Sequence, residues 1–128
     1  MGFGQAIASG FFNYVNFSDR ASRSEYWYWF LFVILCQIAT HIIDLVIGVG
    51  VTTALFSLAV LLPGIAVGVR RLHDLDRTGW WLLLGLIPLV GAIVLIIWFC
   101  TKGADGPNRF GLDPLAILGA QINPRPAV

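Results

Sequence analysis

Chemistry in this chain could come from few residues, and they fall into two groups. The first is ionic: Arg20, Arg23 and Glu25 stand close together, as do Arg70, Arg71, His73, Asp74, Asp76 and Arg77. Arg70 and Asp74 are four residues apart, the spacing of a helical ion pair, and Glu25 could bridge to Arg70 or Arg71. Such a cluster suits either a structural clamp or a cradle for lipid phosphates, which the planar guanidinium fork matches. His73 and Asp74 make a poor catalytic pair, because neighbours on a helix point about 100° apart.

The second group is Gln37, Thr40, His41 and Asp44, which recur at spacings of three and four and so share one face of a helix. An ionisable group in hydrocarbon costs several kcal/mol, so this face is expected to turn away from lipid. It could serve as a proton relay or ligand site, or as hydrogen-bonding glue between helices. His41 and Asp44 lack the further ligands that a metal site needs. No nucleophile, base and orienting group converge, so no catalytic residue, metal or cofactor is expected.

The elements that hold these groups must be membrane helices. The chain has 128 residues, of which 58% are hydrophobic and 12% charged, against about 25% charged in an ordinary soluble domain. With a mean hydropathy of +0.82, a water-soluble globule is excluded. A net charge of +1 leaves no basic stripe for nucleic acid. Residues 26–43, 45–69 and 78–101 are free of Lys, Arg, Asp and Glu, and about 20 apolar residues span a bilayer. Three transmembrane helices are therefore expected in an all-α membrane protein, at about residues 26–47, 51–69 and 80–100. Gly48-Val49-Gly50 makes the first turn very tight. Trp80 and Trp98 would sit about 27 Å apart along a third helix, close to the hydrocarbon thickness, with Pro88 kinking it between Gly85 and Gly91.

Residues 6–17, with Ile7, Phe11, Tyr14 and Val15 on one face, suit a short amphipathic helix lying in the interface. Residues 1–114 form a single membrane domain in this reading. Gly103, Gly106, Asn108, Gly111 and Asp113 build a structured polar loop over residues 103–114, and residues 115–128 a mobile tail. Three spans put Arg20, Arg23, Arg70, Arg71 and Arg77 on one side, against Lys102, Arg109 and Arg125 on the other. The N-terminus is then cytoplasmic and the C-terminus periplasmic. Cys36 and Cys100 fall at different depths, so no disulfide is expected.

Three stretches carry a resemblance. Phe17-Ser-Asp-Arg-Ala-Ser-Arg-Ser-Glu-Tyr-Trp, Arg70-Arg-Leu-His-Asp-Leu-Asp-Arg-Thr-Gly-Trp-Trp and Gly103-Ala-Asp-Gly-Pro-Asn-Arg-Phe-Gly-Leu-Asp-Pro occur in order with apolar segments between them. Together they resemble the domain-of-unknown-function 805 family of small bacterial inner-membrane proteins, over about residues 10–114. The resemblance implies an integral inner-membrane protein and brings no activity with it. Asp76 stands where a small residue or Gly is more usual in the family. The expected function is non-enzymatic, in a membrane complex with another membrane protein or with itself, surrounded by membrane lipids. The alternative is a lipid- or small-anion-binding component that uses the cytoplasmic arginines.

Overall fold

The computed structural model describes residues 2–116, in which every named element is helical. The order is α1 (Phe3–Phe12), α2 (Arg23–Ile47), α3 (Val51–Asp74), a 3₁₀ helix (Gly79–Leu86) and α4 (Val90–Cys100). At 1.5 Å per residue, α2 and α3 are each about 36–38 Å long, enough to cross a bilayer. They are the two described helices whose length and apolarity suffice for this.

Both helices have identifiable starts and stops. The Ser22 side chain accepts a bond from the Glu25 amide to open α2, and Gly48, in the left-handed conformation at φ 82°, closes it. The turn into α3 is then made by Asp44, whose two carboxylate oxygens accept the amides of Thr52 (3.1 Å) and Thr53 (2.9 Å). A carboxylate from the last turn of one helix thus answers the free N–H groups and the positive dipole end of the next. At its other end, α3 closes on paired bonds from Asp76 to the His73 carbonyl and from Arg77 to the Leu72 carbonyl, with Asp76 at φ 57°. This is the left-handed helix stop at which glycine costs least, and Asp76 occupies it with a short polar side chain.

The amphipathic helix forms at Phe3–Phe12 rather than over residues 6–17. Asn13 ends it by donating from its side chain to the Ser9 carbonyl (2.9 Å), and Asn16 turns the chain by accepting the Ser18 amide (3.0 Å). Phe11 packs edge-on against Trp29 and Phe32, and Phe3 against Tyr28. Phe12, by contrast, is 89% exposed.

The third apolar segment is not the single spanning helix expected at residues 80–100. The 3₁₀ helix and α4 are each about 16 Å long, half a hydrocarbon thickness, and they fold back on one another. Trp81 meets Trp98 edge-on with centroids 5.7 Å apart, whereas a straight helix would separate them by about 25 Å. Pro88 does more than kink a helix here. The chain reverses in a γ-turn around Leu89, at φ 66° and ψ −65°, with the Val90 amide bonded to the Pro88 carbonyl (2.8 Å). Gly91 makes the reversal possible, since a Cβ there would stand 1.6 Å from the Leu84 carbonyl oxygen. Leu95 and Phe99 then pack with Leu72 in a small core beside the hairpin. Most of the tail expected at 115–128 lies outside the described residues.

Pro63 lies buried within α3. Lacking an N–H, it leaves the carbonyl four residues earlier, that of Ala59, without its helical donor. The Tyr14 hydroxyl donates to that carbonyl, which ties the N-terminal segment to the proline site. Tyr14→Phe is expected to lower stability by about 1 kcal/mol. In a Pro63→Ala background, where a backbone N–H returns to position 63, most of that loss should vanish. Thermal unfolding of the four proteins of this double-mutant cycle in detergent measures the coupling.

Candidate functional site

The ionic residues come together where the start of α2, the end of α3 and the loop after α4 meet. Asp74 is the centre. Its Oδ1 accepts from Arg20 (3.0 Å to Nη2, 3.1 Å to Nε) and its Oδ2 from Arg71 (2.7 Å). Arg71 is fully buried and all five of its N–H groups have acceptors. Nε and Nη2 donate to the Phe99 carbonyl (3.2 and 3.1 Å), Nη2 also to that of Thr101, and Nη1 to Asp74 and the Ala21 carbonyl. A guanidinium from α3 therefore closes the C-terminal end of α4, where unpaired carbonyls and the negative dipole end favour a cation.

Arg20 works in the same way on the following loop. Besides Asp74, it donates to the carbonyls of Gly106 (2.7 Å), Gly111 (3.3 Å) and Ala104 (2.6 Å). The Ala104 amide returns a bond to the Asp74 carbonyl (2.7 Å). Gly103 lies so close that a Cβ would stand 2.0 Å from Asp74 Oδ2. Within the loop, Asp113 accepts the Gly106 amide (3.0 Å), and Asn108 accepts the Phe110 amide (2.8 Å) while donating to the His73 carbonyl (2.8 Å). Gly111 pairs with Asn108 as a short bridge.

His73 is also held rather than free. Its Nδ1 lies 3.2 and 3.0 Å from the carbonyls of Ser18 and Asp19. Carbonyls only accept, so Nδ1 carries the proton. Phe110 stacks flat on the imidazole at 4.0 Å. His73 and Asp74 face different partners, as their adjacency on the helix predicts.

The expected pairing of Arg70 with Asp74 does not form. Both Asp74 oxygens are taken by Arg20 and Arg71, and Arg70 turns instead to Glu25 (3.1 Å). Ser9 of α1 donates to the same Glu25 oxygen, and the Arg70 carbonyl accepts the Ala21 amide (2.9 Å). Nε and Nη2 of Arg70 have no partner among the described residues. Arg23 stays outside the buried group, exposed, with Nη1 donating to the Cys100 carbonyl (3.3 Å).

Asp74 lies beyond the apolar stretch that ends at Val69. Burial pushes its carboxyl above the usual carboxylate range, and Arg71 and Arg20 pull it back. Burial likewise lowers the Arg71 guanidinium from its ordinary value, and Asp74 opposes this. Charges removed from water are tolerated here because each meets an opposite charge and hydrogen bonds.

The loop after α4 therefore packs on the same end of the helical bundle as the N-terminal segment. This corrects the expectation that residues 103–114 lie across the membrane from Arg20 and Arg71. The reason is the reversal at Leu89, which returns α4 to its starting level. Sequence reading also missed the acceptors, which are backbone carbonyls at 99, 101, 104, 106 and 111 and carry no side-chain signature. The signal available was the glycine at 103, which only close packing demands.

The second group is less concentrated. Gln37 donates to Ser57 on α3 (2.9 Å) at an exposed position, Thr40 bonds to the Gln37 carbonyl in its own helix, and Asp44 caps α3. His41 is exposed in a cleft that it shares with Asp44 and with Thr53 of α3 at the turn end of the hairpin, so this face does not turn wholly inward. Among the described residues no group of three or more His, Cys, Asp or Glu could hold a metal ion.

Removing one partner of the buried network leaves the others charged and unpaired, so Arg71→Met is expected to cost about 3–5 kcal/mol. Arg109→Met removes contacts made at the surface, the exposed pair with Asp76 (3.1 Å), a bond to the Asp76 carbonyl (2.8 Å) and a contact with the Phe110 ring, and should lower the unfolding temperature far less than Arg71→Met. Thermal melts of both variants in one detergent make the comparison.

Three curated relatives share most of this chain. It is 44% identical over 104 residues to inner membrane protein YhaI of Escherichia coli K12, covering 80% of this chain and 88% of the relative. It is 43% identical over 108 residues to inner membrane protein YhaH of the same strain, covering 80% and 89%. The uncharacterized protein YiiR of that strain is 31% identical over 119 residues, covering 84% and 77%. No solved structure matches. Residues 14–112, which hold the whole Arg20–Asp74 site and the hairpin beside it, match the family described as "Protein of unknown function (DUF805)", and the chain belongs to that family.

Proposed function

We propose that this protein is a non-enzymatic inner-membrane protein that associates with a second copy of itself through the polar strip on α2 and α3, with its ionic cluster acting as an internal clamp. The observation that carries this reading is the exposure of His41 beside the exposed Gln37–Ser57 pair. Gln37 lies ten residues before Ile47, about 15 Å from the helix end and so near the middle of a bilayer. Amide and imidazole groups both donate and accept, so the strip is self-complementary, and polar side chains facing hydrocarbon gain by bonding across helices. The clamp reading rests on Arg20 and Arg71, whose N–H groups are all occupied by Asp74 and the chain's own carbonyls.

In this reading α2 and α3 cross the membrane, and the 3₁₀ helix and α4 enter it to half depth and return. Of the eight Lys and Arg residues, all but Arg125 belong to the segments that meet at the Asp74 end, and the opposite turn, Gly48-Val49-Gly50, has none. The bias of positive charge then makes that end cytoplasmic, with the N-terminal segment and the loop after α4 on the same side.

Two experiments test the proposal. Reporter fusions at the N-terminus and after Pro114 should both report the cytoplasm, and a periplasmic signal after Pro114 overturns the topology. Cross-linking in membranes should capture a dimer that Gln37→Leu combined with His41→Leu reduces several-fold. An unchanged dimer yield, or no dimer from the parent protein, overturns self-association.

A further inference from the structure

Beyond self-association, the geometry points to a binding site for an anionic phospholipid headgroup in the cleft formed by Arg23, Ser24, Trp27 and Tyr28. The cleft measures about 250 Å³, below the ~300–1,000 Å³ of a pocket that encloses a small ligand. It suits a partly embedded headgroup rather than an enclosed metabolite.

The charge inventory singles out Arg23. Glu25 is taken by Arg70, Asp74 by Arg20 and Arg71, Asp76 by Arg109, and Asp105 by Lys102. Asp44 caps α3 at the far end. Arg77 lies over the Trp98 ring, 4.1 Å from its centroid. Arg23 is paired with no carboxylate among the described residues. It is exposed, and its one hydrogen bond there runs from Nη1 to the Cys100 carbonyl, which leaves Nε and Nη2 unbonded. Those two groups form one edge of the guanidinium, the edge that holds a phosphate in parallel bonds.

The other walls suit a lipid in particular. Arg23 is the first residue of α2, at the level where the apolar helix leaves the hydrocarbon. Trp27 and Tyr28 follow one turn later, and such rings favour the headgroup boundary. The Trp27 indole N–H is held by the Phe99 carbonyl (3.2 Å) and Phe3 meets Tyr28 edge-on, so both rings are fixed in place. The phosphodiester then lies at the rim against Arg23, with the glycerol and upper acyl carbons in the apolar part of the cleft over Trp27 and Tyr28. A free phosphate ion would gain nothing from those rings.

The test is native mass spectrometry of the full chain in detergent, titrated with phosphatidylglycerol. Arg23→Gln should weaken the retained lipid about fivefold, as expected for one basic residue at the surface. Arg23→Lys should fall between this variant and the parent, because it keeps the charge and loses the planar edge. Tyr28→Ala should weaken the lipid without changing charge, and Lys102→Gln should have no effect. Circular dichroism of each variant confirms that its helices are intact. Unchanged retention in Arg23→Gln overturns the site. So does equal weakening by Lys102→Gln, which would mean diffuse surface charge. Equal retention of phosphatidylcholine overturns its preference for anionic lipid, and displacement by inorganic phosphate at the lipid's own concentration overturns the assignment to a lipid.

Discussion

The Asp74 carboxylate lies between two guanidiniums that come from either end of the α2–α3 hairpin, Arg20 before α2 and Arg71 at the end of α3. Each arginine then reaches past it to backbone that no helix or sheet would otherwise satisfy. Arg71 closes the C-terminal end of α4, and Arg20 grips the loop that follows. Without the carboxylate, two buried positive charges would repel at close range. Without either arginine, the carbonyls of the loop would face each other with no donors. The Leu89 reversal also depends on this centre, because a segment that folds back on itself needs its free end held at the level where it began.

This arrangement bears on which arginines can do anything besides hold the fold. Arg20 and Arg71 have spent their hydrogen-bonding capacity inside the molecule. Arg70 is shared with Glu25 under α1, and Arg23 alone of the four stands at the surface. A cluster that reads in sequence as four equivalent cations is therefore two clamps, one buried ion pair and one exposed group. Their difference comes from helix phase. Arg70 and Arg71 are neighbours in sequence, yet they point about 100° apart, one toward α1 and α2 and the other toward α4.

Much of this was legible in the chain, in proportion to how local the causes are. The long apolar runs that become α2 and α3 and the tight glycine turn between them follow from nearby residues, and the hairpin they make brings Glu25 to Arg70, 45 residues along the chain. Asp76 is instructive, since its backbone at φ 57° is one that a non-glycine residue seldom adopts, and nothing in its side chain announces it. The third segment was misread because length and apolarity were asked to decide its path. Trp80 and Trp98 looked like markers of two interfaces, and the two ends of a folded-back segment carry the same aromatic pattern. What distinguishes the cases is Gly91 against the Leu84 carbonyl and the turn after Pro88, contacts between residues that only the fold brings together. The three motifs carrying the family resemblance lie tens of residues apart, and they are the three segments that converge on Asp74.

The folded-back segment also gives the molecule an uneven profile along its length. At the Asp74 end, α2 and α3 are joined by the 3₁₀ helix and α4, with α1 packed against them. At the Gly48 end, two helices stand alone. With the topology proposed above, the body is a wedge that displaces more lipid from the cytoplasmic leaflet than from the outer one. Packed side by side through the narrow ends of α2 and α3, two such wedges would splay their broad ends apart, so the geometry of pairing and the local bend of the bilayer become one and the same mechanical problem.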